Sequence, residues 1–237
     1  MKKLFLKFPK ITGPLRSFYN MYFGEKEIKA ILKLLRENKN QYIFFDIGAN
    51  YGVYTFLFSK NSLFTYAFEP IEECIEYIRR GYRYKNISLV NKAVSNTEKD
   101  QILNIPIESG SKVYGKSSFN KSFKKSELRK VECTKLNNYI KETEKYIEQV
   151  VFIKIDVEGH ENKVVEGGID LIKNRKVILL IEIEQRHNQD FNYVFQKLSN
   201  LNFHTYIFKN NKFIDIHTEF QLEEAMIDNN NFIFKNY

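Results

Sequence analysis

Apolar and polar residues along the chain switch between a helical and an extended period. Residues 25 to 38 place Ile28, Ile31, Leu32 and Leu35 on one side and charged residues on the other, which predicts an amphipathic helix. An apolar run, Tyr42 to Ile47, predicts the first strand, and Val53 to Lys60 a helix after it. A second strand is expected over Leu63 to Phe68. Ile71 to Tyr84 then reads as a helix, with Glu72 and Glu73 in its first turn and Arg79, Arg80 and Arg83 in its last, as the helix dipole favours. Ile87 to Val90 predicts strand three. Val150 to Val157 and Val177 to Glu184 are continuous apolar runs, as in strands buried on both faces. Between these lie a helical region from Glu161 to Lys173 and, earlier, a predicted helix from Leu136 to Lys145.

Residues 95 to 135 differ in character. They are polar and serine-rich, with short alternating runs at Gln101 to Ile107 and Val131 to Thr134, and predict strands carrying a mobile loop. Towards the C-terminus, Phe191 to Leu201 predicts a helix. His204 to Phe208 and Lys212 to Ile216, joined by Asn210-Asn211, predict a hairpin, and Phe232 to Phe234 a last, edge strand. Strands alternating with helices imply a doubly wound, mostly parallel α/β sheet with a C-terminal antiparallel hairpin.

A length of 237 residues suits one such domain, expected over 41–237, with a basic helical extension over 1–40. Hydrophobic content of 43%, with 15% aromatics, excludes a disordered chain. Two cysteines, Cys74 and Cys133, without a CxxC pair exclude a disulfide framework or zinc ribbon and make a reducing, cytoplasmic setting the expectation. Lysines interrupt the apolar N-terminus, so neither a signal peptide nor a membrane span is predicted. The net charge of +8 is uneven. Residues 1 to 40 carry ten Lys/Arg against three Glu, and residues 112 to 130 seven against one, leaving the rest net acidic. Basic segments beside an acidic site suit an anionic substrate such as a nucleotide-linked sugar; a membrane surface, RNA or a merely solvated lysine-rich surface are the other readings of the same charges.

The candidate chemistry starts at Asp46-Ile47-Gly48-Ala49-Asn50-Tyr51-Gly52, where a strand runs into a glycine-bearing turn that opens a helix. Such turns bring backbone amides close to a ligand, and an acid at the end of the next strand, here Glu69, can take the two hydroxyls of a ribose. Asp46 is unfavourable beside a pyrophosphate but suits the cationic amino-acid end of S-adenosylmethionine. Phe68-Glu69-Pro70, Asn91-Lys92-Ala93-Val94 and Ile153-Lys154-Ile155-Asp156-Val157-Glu158-Gly159-His160-Glu161 follow in order. Across residues 40 to 185 this succession resembles the FkbM family of S-adenosylmethionine-dependent O-methyltransferases, with His160 departing from the small residue expected at its place. The resemblance implies a class I methyltransferase, Rossmann-like sheet. It implies cofactor contacts at Asp46, Gly48, Asn50, Gly52 and Asp156, a ribose carboxylate at Glu69, and an adenine site at Asn91, Lys92 and Ala93. Ser117 and Ser118 are candidates for a lid over that site.

Methyl transfer needs an acceptor hydroxyl held in line and relieved of its proton. Asp156 leads as the base, with Glu158 and His160 beside it as further catalytic candidates, although a histidine here is more ordinarily a helix-surface residue. Asp156 and Glu182, on adjacent strand ends, are candidate ligands for a divalent metal ion. The competing expectation is that Glu182 or Glu184 pairs with Lys154 or Arg186. The expected partner is a small molecule, a sugar or glycan precursor in particular, and no nucleic acid. An RNA methyltransferase and a non-catalytic nucleotide-binding scaffold are the alternatives. The first lacks an N/D-P-P-Y-type tetrapeptide after the fourth main strand, and the second is disfavoured by the complete set of acidic strand ends.

Overall fold

In the computed structural model, residues 7–37, 41–82, 85–184 and 192–237 are described. The basic start at Met1 to Leu6, Arg83 and the proposed partner Arg186 lie outside them. Two helices, α1 (Pro9–Phe23) and α2 (Lys26–Glu37), precede β1 (Tyr42–Ile47), α3 (Val53–Ser59), β2 (Phe64–Phe68), α4 (Glu72–Gly81), β3 (Ile87–Val90) and the short β4 (Ala93–Val94). There follow β5 (Gln101–Glu108), β6 (Ser111–Lys112), β7 (Ser126–Val131), β8 (Cys133–Thr134), the single turn α5 (Ile140–Thr143) and β9 (Val150–Ile155). The chain ends with α6 (Glu161–Gly167), α7 (Ile169–Lys173), β10 (Val177–Glu182), α8 (Asn192–Ser199), β11 (His204–Lys209), β12 (Lys212–Ile216), α9 (Glu219–Asp228) and β13 (Asn231–Lys235).

Eight strands form the main sheet in the order β12-β11-β13-β10-β9-β1-β2-β3. From β10 to β3 every pairing is parallel, and β13 runs antiparallel to β10 and β11 on either side of it. This is the doubly wound, class I methyltransferase arrangement expected from the sequence, with one correction. Phe232 to Phe234 belong to an interior strand, because all three side chains are buried; the hairpin strand β12 takes the edge. Alternate residues of the central strands feed two cores. Phe45, Ile153, Leu179 and Phe234 pack with α6 to α9, while Phe44, Phe152, Leu180 and Ile233 pack with α2 and α3.

Two further expectations change. The predicted helix over Leu136 to Lys145 is a chain of short turns, with 3₁₀ segments on each side of α5. The predicted mobile loop is folded. β5, β6 and β7 form a separate three-stranded antiparallel sheet, a flap whose inner residues Leu103, Ile105 and Val131 pack on Ile71 and Cys74. Its lysine-rich stretch is largely neutralised in place: Lys112 pairs with Glu127, Lys116 with Glu108, Lys121 with Glu158, Arg129 with Glu73 and Glu127, and Lys130 with Asp100. The flap is therefore a poor source of long-range attraction for an anion.

Candidate active site

Strand register decides which side chains meet. Asp46 of β1 lies opposite Lys154 of β9, and β10 ends one strand further on at Glu182. All three fall on the alternate positions that face α2 and α3. Lys154 is 2% exposed, its ammonium nitrogen 3.2 Å from Asp156 Oδ2 and 5.1 Å from the centre of the Tyr54 ring. Burial alone would drive its pKa down; the carboxylates of Asp156, Glu182, Glu25 and Asp46 outweigh that and hold it above the ordinary lysine value. The same neighbourhood acts on the acids. Burial raises Asp46 to about 6, against the opposing effects of the Thr55 hydroxyl 2.5 Å away and of Lys154. Glu182 is raised as well, by burial and then by Asp156.

Lys154 revises the expectation of a metal at Asp156 and Glu182. The positive charge between them comes from an ammonium group anchored in β9, and no group of three or more His, Cys, Asp or Glu able to hold an ion occurs among the described residues. These residues do not fit a metal centre; Lys154 pairs with Asp156, and it acts on Glu182 through its charge without the direct pairing expected there.

A second group of residues forms around the turn after β1. Gly48, Asn50 and Gly52 all have positive φ, at 77°, 49° and 76°. A Cβ on Gly48 would lie 1.9 Å from the carbonyl oxygen of Asp156, so its bareness admits the β9 loop rather than a ligand alone. Glu69, buried at the end of β2, accepts the Asn50 amide at 2.8 Å on Oε2 and the Ile71 amide at 3.0 Å on Oε1. Burial raises its pKa to about 7 despite those two bonds, with the charges of Asp46 and Asp156 adding to the rise. Asn91 donates its side-chain amide to the Glu69 carbonyl at 2.9 Å, which makes it a brace for Glu69. Lys92 pairs with Glu132, and Ala93 is held in β4 opposite Cys133.

Two contiguous cavities open on these groups. One is lined by Gly48, Asn50, Glu69, Lys92, Ala93, Leu103, Tyr114, Ser117, Phe119 and His160, and the other by Arg16, Asn20, Glu25, Asp46, Tyr51, Tyr54 and Lys154. Gly48, Asn50 and Asp156 line both. Asp156 thus stands at the junction. Glu158 also lines the first cavity, with left-handed backbone at φ 54°, its carboxylate on Lys121 and its carbonyl accepting the Ser118 hydroxyl at 2.7 Å. Ser118 is buried in this latch and Ser117 remains at the cavity wall, so only Ser117 keeps a lid-like place. Glu161 Oε1 accepts the Gly159 amide at 3.0 Å and closes the turn into α6.

His160 is not on a helix surface. It is 5% exposed, with Nε2 2.9 Å from Ser95 Oγ and its ring 4.7 Å from that of Phe119. Burial, with Lys163 nearby, lowers its pKa to about 4, so the imidazole is neutral at physiological pH. A buried histidine with a depressed pKa stabilises the fold above its unfolded pKa near 6.5, and that stabilisation is lost as pH falls towards 4. His160→Gln is expected to lose about 3 kcal/mol less stability than wild type between pH 7 and pH 4, the equivalent of a shift of roughly two pKa units. Denaturant midpoints at the two pH values check it, and parallel losses would show that His160 does not titrate in this window.

The sequence left the second cavity largely unread. Arg16, Asn20 and Glu25 come from the N-terminal extension, and Tyr51 and Tyr54 from the turn and start of α3. The cavity wall was foreseen only at Asp46, Gly48, Asn50 and Asp156, and Lys154 carried a further signal, as a charge inside a strand whose neighbours are all apolar. A sequence model of the methyltransferase FkbM domain matches residues 46–208, more than half of the chain. The chain belongs to the FkbM methyltransferase family. The matched region is accordingly a methyltransferase domain. No curated protein matches it. Among solved structures it is similar to a methyltransferase FkbM from Methylobacillus flagellatus KT, at 13% identity and a TM-score of 0.46, covering 83% of this chain and 44% of that one. A complex of DhpI with SAM and HEP matches at 9% identity and a TM-score of 0.41, over 97% and 93% of the two chains. A SAM-dependent O-methyltransferase from Thermotoga maritima matches at 9% identity and 0.40, over 88% and 63%. The chain thus spans less than half the length of the Methylobacillus protein.

The first cavity suits the family's cofactor on its own chemistry. Glu69 lines it as a buried acid whose pKa burial raises, and Asp46, on the wall of the adjoining cavity, is raised by burial as well; a ligand carrying a sulfonium and an ammonium would offset that cost. Each Glu69 oxygen also keeps acceptor capacity beyond its one amide.

Proposed function

We propose that this enzyme is an O-methyltransferase whose acceptor is a hydroxyl of a sugar, nucleotide-linked or in a glycan precursor, or of a similar small polar metabolite. The observation carrying this reading is Asp156 at the junction of an acid-walled cavity and a second, polar one. When bound, the cofactor supplies a methyl group already activated on sulfur. Glu69 holds the ribose, Asp46 faces the ammonium end from the adjoining cavity where the two meet at Gly48 and Asn50, and the flap residues Leu103, Tyr114 and Phe119 supply apolar cover for the adenine beside Ala93. Arg16, Asn20, Glu25 and Tyr51 offer donors and acceptors spaced along the second cavity, the kind of lining a polyhydroxylated acceptor requires. Asp156 accepts the hydroxyl proton as the oxygen attacks, and Lys154 holds that carboxylate in place from below.

The test is a panel of nucleotide-linked sugars and free glycans, scored for methyl transfer with and without a chelator. Transfer to a sugar hydroxyl that survives chelation supports the reading. Methylation of RNA alone, or of no hydroxyl acceptor, defeats it. Glu69→Ala is expected to weaken cofactor binding by about 1.5 to 3 kcal/mol, the scale of hydrogen bonds to a charged group. Titration calorimetry checks this, and an unchanged affinity removes Glu69 from the ribose.

A further inference from the structure

The helix α1 is packed inside out. Its inner face is made of small or polar residues: Pro9, Gly13 and Ser17 are buried, and an added Cβ on Gly13 would fall 2.9 Å from the Tyr82 ring. Thr12 Oγ1 lies 2.8 Å from Tyr77 OH on the same side, and Arg16 sits 5.0 Å from the centre of the Tyr51 ring. The large apolar residues point the other way. Phe8, Ile11, Leu15, Tyr19, Tyr22 and Phe23 are between 55% and 78% exposed, while Phe18 packs edge-on against Phe56 at the border of this face. Their spacing of three and four residues draws one continuous stripe along the full helix, about 22 Å long. Scattered exposed apolar side chains are ordinary, but a stripe of this extent marks a surface that meets something.

The surroundings say what. At its N-terminal end the stripe borders a groove lined by Lys7, Phe8, Lys10, Ile11, Arg79 and Arg80, with Glu76 as its acid. Arg79 is paired with Glu72 and Glu76, whereas Lys7, Lys10 and Arg80 make no ion pair among the described residues. At the other end the Lys29 ammonium lies 4.0 Å from the centre of the Tyr22 ring. We propose that this face of α1 docks on an anionic lipid bilayer. Phe8, Ile11, Leu15 and Phe23 enter the interface, and Lys7, Lys10 and Arg80 meet the head-group phosphates. A second copy of the chain fits less well, because self-pairing of the stripe would gather the same unpaired cations on both sides of one contact.

Flotation of the full chain with phosphatidylcholine vesicles, with and without phosphatidylglycerol, tests this. Bound protein is expected to rise about tenfold with phosphatidylglycerol and to fall back with added salt. The triple variant Ile11→Ser/Leu15→Ser/Phe23→Ser is expected to lose about tenfold in binding to the anionic vesicles. Lys10→Glu/Arg80→Glu, which leaves the apolar stripe intact, is expected to lose at least as much. If the triple variant fails to fold, the charge variant and the salt dependence decide. Equal recovery with both vesicle types, or anionic binding unaffected by the charge variant, overturns the proposal. So does a dimer in light scattering that the triple variant turns into a monomer. Methyl transfer to a soluble acceptor is a separate readout, so the fate of the docking surface and that of the proposed reaction are told apart.

Discussion

Lys154→Met is expected to destabilise the fold by about 3 to 5 kcal/mol at pH 8, the cost of removing one partner from a buried ionic cluster. Methionine fills similar volume, so packing is nearly conserved and the electrostatic part dominates. Without the ammonium, buried Asp46 keeps only the Thr55 hydroxyl, and the half-buried Asp156 and Glu182 lose the cation that offsets them. Asp46 and Glu182 already have raised pKa values with Lys154 present, and its removal lifts them further. The sign follows from proton linkage. Acids whose folded pKa exceeds the unfolded value near 4 bind more protons in the folded state, so the penalty builds as pH rises through the folded values and fades below the unfolded one. Denaturant midpoints of wild type and variant at pH 5 and pH 8 should therefore converge at the lower pH. An equal gap at both would show that the lysine contributes by packing and not by charge.

Asp156→Asn should lower turnover at least about a hundredfold, within the range of 10²–10⁴ typical of a lost general base. The amide is nearly isosteric, so the Asp156 carbonyl can stay against Gly48 and the backbone bond from its amide to Ile47, 3.1 Å in length, can persist. Cofactor affinity is then expected to change by less than about threefold, because the ribose and ammonium contacts belong to Glu69 and Asp46. Single-turnover rates, measured beside calorimetric cofactor titration, separate the two effects. Loss of cofactor binding together with turnover would reassign Asp156 to the cofactor site, and full activity would leave the proton to another group.

The central sheet was legible because burial leaves a strong trace. Tyr42–Ile47 and Ile87–Val90 occupy the residues their apolar runs predicted, and the asparagine hairpin between β11 and β12 sits at Asn210 and Asn211, both with positive φ. Elements that depend on tertiary contacts were less readable. α1 contains Pro14 and Gly13, which weaken a helical pattern, and its apolar residues do not face the core that periodicity arguments assume. α9 went unread although Thr218 and Gln221 form a capping box at its start. The triplet Phe232-Ile233-Phe234 was misplaced at an edge for want of length, yet three successive buried apolar residues are what an interior strand requires.

For the site, acids at strand ends could be found by position alone. What surrounds them could not. Lys154 stood in view inside an apolar strand, but its link to four carboxylates comes from strand order and the return of Glu25 over the sheet. Glu158 lines the cavity beside Asp156, but that its carboxylate is tied to Lys121 of the flap could not be read from the sequence. The lysines of residues 112 to 130 suggested a ligand-attracting surface until their partners on β5, β7 and α4 were in place.

The contact between Gly48 and the Asp156 carbonyl ties two loops that would otherwise belong to separate halves of the fold. Any displacement of the turn after β1 must carry Asp156 with it, since the two backbones leave no slack between them. The relative placement of the two cavities that meet at Gly48 and Asp156 is consequently built in at folding, like the fixed jaw of a vice.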